Sequence, residues 1–139
     1  MKNPHTIMKI CLILLILIFL VGCSNSGSNS LVGQWEIVSL SAPEMSSAQI
    51  SEIEAGLEAD RHRYNMILHF YADGTGVYIV LEGRWGSDES PFEWTADRTH
   101  LTITNHQGPT HTLDYRISSN RLTIYNFEDD FNFIFRRVD

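Results

Sequence analysis

The chain has 139 residues, 43% of them hydrophobic, and a formal net charge of −7. That length leaves room for one core and excludes a second domain of ordinary size. An acidic chain with no basic stripe repels phosphate backbones, which excludes nucleic acid as a partner.

The hydrophobic residues are unevenly spread. Ile10 to Val21 is an unbroken apolar run that follows Lys2 and Lys9 and ends at Gly22. A positive start, a short apolar stretch and a small-residue boundary predict a secretory signal peptide over residues 1–22. The run is too short for a comfortable membrane span, which needs about 20 apolar residues. Leu20-Val21-Gly22-Cys23 resembles the lipobox of bacterial lipoproteins. That resemblance implies a diacylglyceryl group on the Cys23 thiol, cleavage before Cys23 and acylation of the new amine. Each buried acyl methylene contributes roughly 0.8 kcal/mol, so two or more chains make a stable membrane anchor. The resulting chain has 117 residues, a charge of −9 and no lysine, and Cys23 is its one cysteine, since Cys11 leaves with the signal. A disulfide framework and a cysteine zinc site are then excluded. Residues 23–30 hold the lipidated cysteine and a polar Ser/Asn/Gly stretch that reads as a flexible tether. The expected location is the bacterial cell envelope. Ser24 after the cysteine resembles outer-membrane sorting in Gram-negative lipoproteins.

From Leu31 to Asp139 apolar residues alternate at period two in short runs. The predicted strands are Gln34–Leu40, Asn65–Tyr71, Thr75–Glu82, Pro91–Thr95, His100–Asn105, Thr110–Ile117, Arg121–Asn126 and Phe131–Arg137. Asp73-Gly74 between two alternating runs is a hairpin signal, because Gly accepts positive φ without cost. Met45 to Arg61 breaks the pattern, with Ile50, Ile53 and Leu57 on one helical face and Ser46 and Gln49 at capping-box spacing. This helix is expected to cap one end of the fold, to act as a lid or to pack against the outside. Eight sequential antiparallel strands remove their edges by closing. The predicted fold is all-β, an eight-stranded antiparallel up-and-down barrel with one helix between strands one and two.

Alternation assigns an inner face. Candidate pocket-lining residues are Ile37, Leu68, Phe70, Ile79, Trp94, His111, Tyr115 and Phe133, with Val77 and Leu81 sharing the face of Ile79. Rings of this size can fill an interior or line a pocket, and the sequence leaves both open.

Gly33-Gln34-Trp35 opens the first strand and Arg136-Arg137 closes the last. This resembles the lipocalin and wider calycin arrangement, in which a Gly-x-Trp begins strand one and an Arg from the last strand lies over the Trp. Parity matches Arg137 to that role, so Gly33, Trp35 and Arg137 are the candidate structural residues of the barrel base. The whole domain looks like small bacterial lipocalin-like lipoproteins, with Phe70 to Gly76 as their usual hairpin type. It departs from typical lipocalins in placing its helix after the first strand rather than after the eighth.

No Gly-x-Ser-x-Gly elbow or Ser-His-acid context points to an enzyme. The histidines lack His-x-His or helical i, i+4 spacing, so no metal site is expected, and no cofactor is implied. Glu128-Asp129-Asp130 reads as a solvated turn without EF-hand ligand order. His111, Arg84 and Glu82 are the candidate polar contacts near a barrel mouth. The expected function is binding of a small apolar or amphipathic ligand by an envelope lipoprotein anchored to the membrane through its N-terminal lipid. The alternative is a filled barrel that serves an envelope protein partner as an interaction or inhibitor module.

Overall fold

The computed structural model describes residues 28–126 and 130–138. The apolar run, Cys23 and most of the tether lie outside the described residues, as do Glu128 and Asp129. A single helical turn, α1 (Ser28–Leu31), leads into β1 (Gly33–Ser41) and helix α2 (Ser47–Asp60). Then come β2 (Tyr64–Phe70), β3 (Thr75–Glu82), β4 (Ser87–Ala96), β5 (His100–Asn105), β6 (Thr110–Ser118), β7 (Arg121–Asn126) and β8 (Phe131–Val138). Each strand pairs with the next, and β8 returns to β1, giving a closed eight-stranded antiparallel barrel with one helix between its first two strands.

The turns follow from local chemistry. Gly74 takes φ +85° in the β2–β3 hairpin. Beside it the Asp73 carboxylate accepts bonds from the Thr75 hydroxyl (2.7 Å) and backbone N–H (2.9 Å). At the β4–β5 turn, Asp97 Oδ1 accepts from the N–H groups of Thr99 (2.8 Å) and His100 (2.7 Å). These bonds hold both carboxyls below the usual carboxylate range. A depressed folded-state pKa means stabilisation that is present above the unfolded value, about 3.9 for Asp, and is lost as pH falls through the folded value. The urea midpoint should therefore fall below about pH 4, and an Asp73→Asn/Asp97→Asn chain should lose less on that acidification. Equal losses in the two proteins would remove these turns from the account.

Helix α2 begins with the predicted capping box, in which the Ser46 side chain accepts from Gln49 N–H and the Gln49 side chain accepts from Ser46 N–H. Ile50, Ile53 and Leu57 are half-buried while its other residues are exposed. The helix lies on the barrel wall. β1 pairs with β2 only through Gly33–Glu36, and α2 touches β1 and β2 beyond that point. Buried Glu36 fastens it: Arg61 of the helix's C-cap and Arg136 of β8 each approach Glu36 Oε1 to 3.5 Å.

Three expectations change. Val77, Ile79 and Leu81 do not face inward. Leu68 pairs with Tyr78 and Phe70 with Gly76, so Gly76, Tyr78 and Val80 share the inner face and Ile79 is on the outer one. Both faces of this strand are apolar, so alternation carried no polarity to read. The register is instead dictated by Gly76, where a Cβ would stand 2.4 Å from the Phe92 ring. Second, β4 starts at Ser87 rather than Pro91, and a 3₁₀ turn at Gly83–Trp85 makes the connection. Ser87–Ser90 pair with β3 but are exposed, so no apolar residue marks them as strand. Third, Ser28 to Ser30 of the expected tether belong to a helical turn, Ser28–Leu31, with Leu31 fully buried.

The barrel has one plugged end. Leu31, Trp35, Phe70, Phe92, Leu101, Leu122 and Phe135 are at most 2% exposed and concentrate toward the β2–β3, β4–β5 and β6–β7 turns. Phe70 meets Phe92 and Trp94 edge-on, with ring centroids 5.5 and 5.3 Å apart, a favoured aromatic geometry. The opposite end carries the β3–β4, β5–β6 and β7–β8 connections.

Candidate functional site

At the base, the Arg137 guanidinium carbon lies 4.2 Å from the centre of the Trp35 ring. Arg137 donates to the carbonyls of Val32 (2.8 Å) and Ser30 (2.5 Å), and Trp35 Nε1 donates to Leu31 O at 2.8 Å. Gly33, at φ +131°, leaves the space the guanidinium uses, since a Cβ there would stand 2.7 Å from Arg137 Nη1. The polar ends of Trp35 and Arg137 are both bonded, so Gly33, Trp35 and Arg137 sit together as a structural plug.

Above the plug the interior is hollow. A cavity of about 870 Å³ opens at the other end, within the range of about 300–1,000 Å³ found for small-molecule sites. Its deep wall is apolar and comes from many strands: Leu68 of β2, Phe92 of β4, Ile103 of β5, Leu113 of β6, Ile124 of β7 and Phe135 of β8. Its opening has a side notch. β4 pairs with β5 only from Phe92 onward, so Glu89, Ser90 and Pro91 rise past the end of β5 and border the cavity opposite the Asn105–Gly108 turn. No residue of α2 lines it, because the helix stands against β1 and β2 and the notch lies between β4 and β5. Of the expected roles, packing against the outside of the barrel is the one that the helix's contacts with β1 and β2 match.

No family model and no curated protein matches the chain. Among solved structures, a lipocalin-like protein from Bacteroides uniformis is similar, with a TM-score of 0.56 at 14% identity over 78% of this chain and 98% of that one. An uncharacterized protein from Bacteroides eggerthii gives 0.55 at 10% identity, over 78% and 99% of the two chains. The fold is lipocalin-like. At these identities the likeness is one of architecture.

Within this lipocalin-like barrel the predicted lining residues separate into three groups. Leu68, His111 and Phe133 border the cavity. Ile37, Phe70, Trp94 and Tyr115 are buried in the core. Trp94 Nε1 donates to Thr75 O at 2.9 Å and the Tyr115 hydroxyl to Asp97 O, so both polar ends are held beside the turns of the closed end. Ile79 is on the outer surface. Of the candidate rim contacts, His111 borders the cavity, whereas Glu82 and Arg84 are exposed and do not.

The cavity also takes residues that alternation did not select. Tyr78 borders it because of the β3 register, and burial pushes its phenol pKa up, so the hydroxyl keeps its proton at neutral pH. Asn105 and Asn126 border it as the last inward residues of β5 and β7. The signal for both was available: continuing the inner face by two residues past Ile103 and Ile124 reaches them. Among the described residues no group of three or more His, Cys, Asp or Glu side chains is placed to hold a metal.

Proposed function

We propose that the protein is a membrane-anchored envelope lipoprotein whose lipocalin-like barrel holds a small apolar or amphipathic molecule. One observation carries the ligand half of this reading: an apolar-walled void of about 870 Å³, plugged at one end and open at the other. Burying apolar ligand surface contributes about 25 cal/mol per Å², and the preformed walls reduce the ordering that binding requires. A filled barrel acting only on a protein partner has no use for such a void. The anchor half rests on the Leu20–Cys23 motif. The described chain enters the barrel through α1 at the plugged end, opposite the cavity opening.

Each half has its own test. Cells fed an alkynyl palmitate should label the wild-type chain and not Cys23→Ala, and an unlabelled wild type rejects the anchor. Native mass spectrometry of the unlipidated domain should retain a reproducible small-molecule adduct. A consistently bare mass, together with failure to take up any apolar dye, rejects the carrier reading.

A further inference from the structure

The polar groups of the cavity select a head chemistry. Asn105 on β5, His111 on β6 and Asn126 on β7 occupy inward positions on three adjacent strands, toward the open end. Tyr78 of β3, whose phenol keeps its proton, also borders the cavity. Amides and hydroxyls each offer a donor and an acceptor, so this set can satisfy a hydroxyl or an amide whichever way it is oriented.

Among the described residues no lysine or arginine borders the cavity. Arg137 is committed to Trp35 and the backbone at the plugged end, and Arg61 and Arg136 are paired with Glu36 on the outer wall. On the β3–β4 side of the opening the carboxylates of Glu82, Asp88 and Glu89 outnumber the single guanidinium of Arg84, all four exposed and none but Glu89 bordering the cavity. A fatty carboxylate entering here would lose hydration with no cation to replace it. An ammonium head would gain little, because the rim carboxylates are exposed and screened and its own hydration is strong.

We propose that the cavity selects amphiphiles with an uncharged, hydrogen-bonding head over fatty carboxylates and amines of the same chain length. The head lies against Asn105 and His111, and the tail runs down toward Leu68 and Phe135. This rests on the ligand-holding reading above.

The test uses the full chain in amphipol, with protein-free amphipol as the blank, loaded with the neutral dye N-phenyl-1-naphthylamine at pH 8. Monolaurin, laurate and dodecylamine, which share a chain length, compete for the site. Monolaurin should displace the dye at concentrations about tenfold lower than either charged analogue, the scale expected when one charge goes uncompensated. Asn105→Leu/His111→Leu should still take up the dye but bring the three competitors to within about twofold of one another. If that double variant takes up no dye, Asn105→Leu alone, at an exposed position, should narrow the gap. Laurate or dodecylamine matching monolaurin, displacement by none of the three, or an unchanged gap in the variants overturns the head selection. A wild type that takes up no dye overturns the carrier reading itself.

Discussion

Trp35→Ala is expected to destabilise the barrel by about 3–5 kcal/mol, the usual cost of truncating a fully buried aromatic, read as a lowered urea midpoint. The ring is 0% exposed and sits at the junction of β1, β8 and α1. Its loss removes the stacking surface for Arg137 and the donor that holds Leu31 O. Arg137→Ala acts on the same unit from the other side. It removes a cation–π contact of about 0.5–2 kcal/mol. It also removes a donor from each of the part-buried Val32 and Ser30 carbonyls, at less than the roughly 1–3 kcal/mol of a fully buried group. The two residues share partners, so the double variant should cost less than the sum of the singles. Arg137→Lys separates charge from shape. An ammonium keeps the cation but cannot reach two carbonyls in a fixed fork, so it should fall between wild type and alanine. A Trp35→Ala chain with an unshifted midpoint would mean that the plug does not hold the barrel closed.

The plug was readable in advance because it is written in side chains of singular chemistry. A Gly-x-Trp and a terminal Arg leave few alternatives once strand parity is counted. The barrel was readable for a related reason, since most strands alternate apolar and polar and one inward face follows. The readings that moved are those where that contrast fails. Val77 to Leu81 is apolar on both faces, and its orientation depends on a cross-strand fit between Gly76 and Phe92 that no single strand displays. Ser87 to Ser90 is polar on both faces and reads as loop although it pairs with β3. Asn105 and Asn126 are turn formers by type, yet pairing carries the barrel's inner face through them. The cavity was the least readable feature. Leu101 and Leu113 are paired neighbours of the same residue type, one 0% exposed in the packed end and the other bordering the void. Nothing in their local sequence tells them apart.

That pair supplies the sharpest test of a hollow barrel. Leu113→Trp should abolish retention of a small-molecule adduct and uptake of an apolar dye, while the urea midpoint stays level or rises. The added ring enters space that is empty in the native wall, so it gains apolar burial at about 25 cal/mol per Å² without displacing neighbours. If the interior were close-packed, the same substitution would force off-rotamer side chains and cost about 1–3 kcal/mol. Leu101→Ala makes the converse case. It opens a hole in the packed end, at about 2–5 kcal/mol, and should leave the dye's affinity nearly unchanged once the protein is folded. The two variants therefore have opposite signatures, one losing ligand and keeping stability, the other losing stability and keeping ligand. If Leu113→Trp unfolds the protein as readily as Leu101→Ala, the void above the plug is not available to a guest, and the function must be sought on the outer surface.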